Sequence, residues 1–86
     1  MANRKHVLTI SAATPEELAR QLVKLAEDNL IGSTQYTATL HALVAYLPAT
    51  IVIEQRQPRG AIYAGVATPT DTYDLSFDPR GRVTYK

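Results

Sequence analysis

The sequence of 86 residues contains no cysteine and no tryptophan. Without cysteine, neither a disulfide framework nor a thiolate metal site can form, so packing must hold the fold. No apolar run approaches the roughly 20 residues of a membrane-spanning helix, and the basic start "MANRKHVLTI" lacks the apolar core of a secretory signal. These absences predict a cytoplasmic protein with no membrane partner.

An excess of charge of one sign is also missing. Nine Lys and Arg residues face eight Asp and Glu residues, which leaves a net charge of +1. Each half of the chain is nearly neutral by itself, so no long-range field steers the whole protein onto nucleic acid. A strongly basic nucleic-acid-binding domain is therefore excluded as a class, although a local basic patch is not.

Sequence motifs for the common kinds of chemistry are missing as well. The four glycines form no nucleotide-binding loop, and neither a G-x-S-x-G elbow nor an H-E-x-x-H metal motif occurs. The two histidines, His6 and His41, have no Cys, Asp or Glu at ligand spacing. We therefore expect no catalytic residue, no metal site and no cofactor, in a protein that is not an enzyme.

What the chain does contain is the composition of one folded domain. It is 45% hydrophobic and 20% charged, as is typical of globular proteins. A chain of this length can bury one core but not two. We therefore predict a single domain over residues 1–86.

The first half of the chain predicts a strand followed by a helix over about residues 15–31. In "KHVLTIS", Leu8 and Ile10 alternate with Val7 and Thr9, which is the pattern of a strand with one buried face. The period then changes, because leucines recur in "PEELARQLVKLAEDNLI" at the three- and four-residue spacing of an amphipathic helix. A strand and a packed helix are the expected result.

This helix has recognisable start and end signals, whereas the segment after it is ambiguous. Thr14 precedes Pro15, and Glu17 completes a capping box. Gly32 is expected to close the helix in the left-handed conformation. Residues 33–47 combine a threonine-rich first half, which favours a strand, with leucines at helical spacing in the second half. Either structure fits, and a strand followed by one or two helical turns is the compromise.

From residue 50 onward the pattern is β throughout. The runs "TIVIEQRQ", "AIYAGVA", "DTYDLSFD" and "RVTYK" are separated by turn-forming residues. The prediction is an α+β fold: a four- or five-stranded, mainly antiparallel sheet, ending in a meander, with the helix of about 15–31 on one face. The other face must be partly polar, covered by residues 33–47, or buried in a homodimer.

Pro-Arg-Gly occurs twice, at residues 58–60 after a glutamine and at residues 79–81 after an aspartate. Proline suits the second position of a β-turn, a polar residue suits the first, and glycine takes the positive φ of the bulge that follows. Only the arginines, Arg59 and Arg80, remain unexplained by turn geometry. Alternate connections of a meander share one end of the sheet, so the two turns should lie at the same end, with Arg59 and Arg80 about 10 Å apart.

Two functional hypotheses follow from this pattern. The favoured one is a small non-catalytic protein-interaction module, such as an inhibitor or adaptor of the type encoded by phages and other mobile elements. It would present its second sheet face, or the end with the two turns, to a protein partner. Tyr63 is the candidate contact on that face, because it is opposite in phase to Ile62 and Ala64.

The alternative hypothesis is a nucleic-acid-binding domain that uses arginines at and beside the two turns. Guanidinium groups suit the recognition of phosphate, and such binding weakens steeply with salt. Nearby acids such as Glu54, Asp74 and Asp78 would neutralise part of this charge. The candidate binding residues are Arg56, Arg59, Arg80 and Arg82.

Overall fold

The sheet has five strands that lie side by side in chain order, each antiparallel to its neighbours. The computed structural model describes residues 5–85. Its strands are β1 (His6–Ala12), β2 (Ala49–Gln55), β3 (Ile62–Ala67), β4 (Thr72–Phe77) and β5 (Val83–Tyr85). Two helices, α1 (Pro15–Glu27) and α2 (Ser33–Val44), connect β1 to β2. The predicted α+β fold with an antiparallel sheet is confirmed, but the helices are two rather than one.

One face of the sheet forms the core together with the two helices. Ile10, Ile51 and Val66 are cross-strand neighbours on this face and are at most 1% exposed. Leu18 and Leu22 of α1 are fully buried in the same core. Burial of each such side chain contributes about 1.5–3 kcal/mol. The predicted alternation of these strands is thus the alternation between core and solvent.

Helix α1 begins where its sequence signals place it. The Glu17 backbone N–H donates to the Thr14 hydroxyl at 3.2 Å. The Glu17 carboxylate in turn accepts from the backbone N–H groups of Ala13 at 2.8 Å and Thr14 at 3.2 Å. These two backbone donors are the main reason why the pKa of Glu17 lies below its ordinary value. The predicted capping box is confirmed.

The end of α1 differs from the prediction. The helix stops at Glu27, and Asn29 adopts the left-handed conformation with φ 59°. Gly32, which was expected to take that role, has φ −87° and is the N-cap of α2. Asparagine tolerates the left-handed region better than other non-glycine residues, so it replaces glycine as the helix terminator here.

Residues 33–44 are helical, so of the two alternatives for this segment the helix is confirmed, and the compromise with a strand in its first half is wrong. The buried positions of α2 are Gln35, Thr39 and Leu43, spaced four residues apart as on one face of a helix. Two of the three are polar, so the hydrophobic pattern hides the helical period. The Thr39 hydroxyl donates to the Gln35 carbonyl at 2.7 Å, which satisfies a buried polar group within the helix.

Both helices pack on the core side of the sheet. Helix α1 contacts β1 and α2, and α2 reaches β4 and β5. Residues 33–47 therefore do not cover the second face, which we call the open face. Its strand residues are Val7, Thr9, Ser11, Thr50, Val52, Glu54, Tyr63, Gly65, Ala67, Thr72, Asp74, Ser76 and Thr84. Within residues 5–85, no helix is long and apolar enough to cross a membrane.

Candidate interaction surfaces

The two Pro-Arg-Gly turns lie at the same end of the sheet. The first turn, residues 57–60, joins β2 to β3, and the second turn, residues 78–81, joins β4 to β5. The connection between β3 and β4 lies at the opposite end, where the Thr68 N–H donates to the Asp71 carbonyl at 2.8 Å. The expected placement of the turns is confirmed.

A buried glutamine from α2 connects the two turns. The Gln35 side-chain amide donates to the carbonyls of Gly60 at 3.1 Å, Asp78 at 3.2 Å and Phe77 at 3.4 Å. Gln35 is only 1% exposed, so these bonds form away from water, where an unpaired carbonyl is costly. One side chain therefore fixes the spacing of both turns against the start of α2.

A second glutamine holds the first turn to the loop before α2. The Gln55 amide donates to the carbonyls of Leu30 at 2.9 Å and Gly60 at 3.2 Å, and its own Oε1 is buried with no hydrogen-bond partner among residues 5–85. Sequence reasoning assigned no role to Gln55 or Gln35. The one available signal was the phase of Gln55, which shares the inward side of β2 with Ile51 and Ile53.

The first turn holds an arginine in the left-handed conformation. Arg59 has φ 65°, its N–H donates to the Leu30 carbonyl at 2.8 Å, and the Gly60 N–H closes the turn on the Gln57 carbonyl at 3.1 Å. The expectation that Gly60 takes the positive φ in this turn is therefore wrong. The arginine side chain crosses to the start of α2, where Nη2 lies 3.7 Å from the position that a Cβ on Gly32 would occupy.

The second turn has the predicted geometry. Gly81 has φ 89°, and its N–H donates to the Asp78 carbonyl at 2.8 Å. The Asp78 carboxylate accepts the backbone N–H groups of Arg80 at 3.0 Å and Arg82 at 2.8 Å. This is a turn capped by its own first side chain, followed by a glycine bulge. Asp78 therefore serves the backbone of the turn rather than an arginine side chain.

The four candidate arginines form no salt bridge with any acid of residues 5–85, where the one ion pair joins Lys5 Nζ to Glu54 Oε2 at 3.0 Å. Arg56 lies over the ring of Tyr63, 5.5 Å from its centroid, and so belongs to the open face. Arg59 lies beside the start of α2, while Arg80 and Arg82 are exposed at the second turn.

The open face exposes three large apolar side chains on neighbouring strands. The exposed fraction is 55% for Val7, 43% for Val52 and 38% for Tyr63. Val7 and Tyr63 flank Glu54 in one row across β1, β2 and β3, and Val52 lies in the next row beside Gly65. The predicted exposure of Tyr63 on the second sheet face is confirmed.

Gly65 forms a gap in the middle of this face. It lies on the central strand, between Val52 on one side and Asp74 on the other. A Cβ at this position would meet only the Asp74 Oδ1 at 3.8 Å, which is an ordinary contact, and Gly65 is not among the residues with positive φ. Neither crowding by residues 5–85 nor backbone conformation therefore requires a glycine here.

The two histidines lie on different elements. His6 is half-buried at the start of β1, and His41 is exposed on α2. Among residues 5–85, no three His, Cys, Asp or Glu side chains are grouped closely enough to hold a metal ion. Among the candidate residues, the contact that the structure shows is that of Arg56 with the ring of Tyr63.

Comparison with protein-family models, with curated proteins and with solved structures finds no significant match to this chain. The functional proposal therefore starts from the two surfaces described above. One is the open face, with Tyr63 and Gly65 at its centre, and the other is the end of the sheet that carries the two turns.

Proposed function

We propose that this chain is a non-catalytic protein-interaction module that uses the open face of its sheet as the recognition surface. The observation that carries the proposal is the exposure of Val7, Val52 and Tyr63 side by side on a face that no element within residues 5–85 covers. Neighbouring apolar groups in water cost free energy, about 25 cal/mol per Å², which contact with another protein recovers. An exposed aromatic residue at the centre of the face adds a typical interface anchor.

The charge of the open face supports a protein as the partner. Its strands carry only two charged residues, Glu54 and Asp74, and both are acidic. Lys5 and Arg56 lie beside them, so the face is close to neutral. A low density of charge around aromatic and aliphatic side chains is typical of the core of a protein interface, whereas a nucleic-acid surface is basic.

A site-specific photo-crosslinker tests this proposal, because a chain without cysteine accepts a single cysteine label. Thr9→Cys places the label on the open face, and Lys24→Cys places it on the exposed side of α1 as the control. We expect the label at the first position to form a covalent adduct with a protein partner, and the label at the second position to form none. Equal yields at both positions, or no crosslink at either, would contradict the proposal.

A second variant pair ties any crosslink to the apolar patch. Val52→Lys puts a charge among the exposed apolar side chains and should reduce the yield from the Thr9 label at least several-fold, since a charge at an interface core is unfavourable. Thr37→Lys adds the same charge to the exposed side of α2 and should leave the yield unchanged. A crosslink that tolerates Val52→Lys would contradict the assignment of this face.

Nucleic-acid binding is the second candidate function, and the backbone of Arg59 favours it. A left-handed non-glycine residue costs about 1 kcal/mol or more, and such strain concentrates at functional positions. The Arg59 side chain lies beside the N-terminus of α2. The first helical turn of α2 contains no acidic residue, and its N-cap, Gly32, makes no side-chain hydrogen bond. The first N–H groups of a helix have no acceptor within the helix, and together with a guanidinium group they favour phosphate.

Binding to oligonucleotides at several salt concentrations tests this second candidate. We expect affinity that falls steeply as salt rises, because phosphate contacts release counterions. The double variant Arg59→Ala with Arg80→Ala should weaken binding at least tenfold. The matched control, Arg20→Ala with Lys24→Ala on α1, should change it little. Affinity that ignores salt, or that falls equally in both double variants, would reject the candidate.

A further inference from the structure

We infer that the occupant of the open face is a second copy of this chain, with the β3 strands of the two copies packed antiparallel and face to face. In this arrangement Tyr63 of each copy fills the gap over Gly65 of the other. The inference rests on the proposed function, because it names the protein that the open face contacts. Four features of the face support it: its shape, its glycine, its charges and its size.

The shape of the face is self-complementary. Tyr63 and Gly65 lie on the same strand and the same face, two residues and therefore about 7 Å apart. A two-fold axis that runs between the two sheets, perpendicular to their strands and level with Ala64, places Tyr63 of each copy opposite Gly65 of the other. A projecting side chain then meets a gap twice, once on each side of the axis, which is the relation that a two-fold interface requires. Because β3 is the third of five strands, this contact is central.

Gly65 is explained by this arrangement and not by its own chain. A glycine within a strand is destabilising relative to alanine, and it often marks the close approach of another backbone or side chain. No atom of residues 5–85 makes that approach, since a Cβ on Gly65 would have only the Asp74 Oδ1 within 4 Å. A tyrosine ring from a second copy supplies the missing neighbour.

The charges of the face allow two copies to meet. Glu54 pairs with Lys5 at 3.0 Å, Arg56 lies over the Tyr63 ring, and Asp74 is the other acid on the open-face strands. Two positive and two negative groups leave the face neutral, so two copies meet without net repulsion.

The size of the face suits a reversible dimer. Five strands about 4.8 Å apart and about six residues long give a face of roughly 24 by 20 Å, or about 500 Å² per copy before side-chain relief is added. Two copies would bury about 1,000 Å² or more, at the lower end of specific interfaces. The dimer should therefore dissociate on dilution.

Sedimentation of the purified chain from about 1 µM to about 1 mM tests the inference. We expect a concentration-dependent equilibrium between monomer and dimer. Gly65→Val fills the gap without strain in the monomer, because its backbone is ordinary and its surroundings are open, and should weaken dimerisation at least tenfold. Thr37→Val, which places a valine on the exposed side of α2, should leave the equilibrium unchanged. A wild-type monomer over the whole range, or a dimer indifferent to Gly65→Val, would overturn the inference.

The outcome for the second copy and the outcome for the proposed function can be separated. A monomeric chain whose Thr9 label captures a different protein, in a way that Val52→Lys abolishes, would overturn the second copy and leave the proposed function intact. A monomeric chain with no specific crosslink would overturn both. A crosslinked dimer of the chain itself supports both.

Discussion

The same three residues, Pro-Arg-Gly, build two different backbones in this molecule. In the first turn the left-handed residue is Arg59, with φ 65°, whereas in the second turn it is Gly81, with φ 89°. The left-handed position is thus the third residue of the first turn and the fourth of the second. A repeated sequence does not imply a repeated conformation here.

The cause of the difference lies outside the repeated residues. In the second turn, Asp78 accepts two backbone N–H groups and so fixes the turn from within. No comparable bond from the Gln57 side chain is found within residues 5–85. The first turn is instead held from outside, through the Arg59 N–H on Leu30 and the Gly60 carbonyl under two glutamine amides. One turn is set by its own sequence and the other by its neighbours.

The largest expected effect comes from Gln35, since it contacts both turns. Gln35→Leu removes a buried donor and leaves carbonyls in both turns without it, so we expect a loss of about 3 kcal/mol in the free energy of unfolding. Urea denaturation measures this loss. Gln21 is the matched control, because its amide makes one exposed bond to Ser11, and Gln21→Leu should cost under about 1 kcal/mol. Equal losses would show that the bridge does not stabilise the turns.

The glycines of the two turns should respond unequally to alanine. At Gly81 the positive φ is unfavourable for alanine, and the new Cβ would lie 3.1 Å from the Ala38 Cβ and 3.2 Å from the Thr34 carbonyl oxygen. We expect Gly81→Ala to cost about 2–3 kcal/mol. At Gly60 a new Cβ would also be crowded, at 2.9 Å from the Gln57 Cγ and 3.1 Å from the Gln57 carbonyl oxygen, but the φ is ordinary, so Gly60→Ala should cost less, about 1–2 kcal/mol. Thermal unfolding of the two variants side by side decides whether the order holds.

The second turn also shows which parts of the fold the sequence could predict. Its Asp-Pro-Arg-Gly residues carry their own capping chemistry, just as Thr14 and Glu17 do at the start of α1. Strands that alternate between core and solvent, such as β1, were predictable for a similar reason. In each case the interactions that decide the structure are local in sequence or repeat with a fixed period.

Other features depended on partners that are remote in sequence. Gln35 and Thr39 lie on the buried side of α2, but as polar residues they concealed its helical period. The acceptors of the Gln35 side-chain amide lie 25 or more residues away in sequence, so no local pattern predicts its role. For the same reason the left-handed backbone of Arg59, which depends on Leu30 and Gly60, was not predictable from Pro-Arg-Gly alone.

The first side chain of each turn gives a smaller test of the comparison. Asp78→Ala removes an acceptor for the N–H groups of Arg80 and Arg82, and we expect a cost of about 1–2 kcal/mol. Gln57→Ala removes no such bond and should change the free energy of unfolding by less than about 0.5 kcal/mol. Denaturant midpoints of the two variants measure the difference. If Gln57→Ala costs as much as Asp78→Ala, the first turn is also set by its own side chain.

The smallest effect, and the one with opposite signs in the two turns, is expected at the arginines. Arg59→Gly places glycine in a left-handed position and should stabilise the fold by about 0.5–1 kcal/mol, because the strain of the side chain is removed. Arg80 is not in that conformation. Arg80→Gly should therefore lower the free energy of unfolding by about 0.5 kcal/mol, because glycine gives the unfolded chain greater freedom. Melting temperatures that shift in the same direction would contradict the comparison. If Arg59 also contacts phosphate, its more stable glycine variant should bind oligonucleotides less tightly, and stability and binding would then change in opposite directions at one residue.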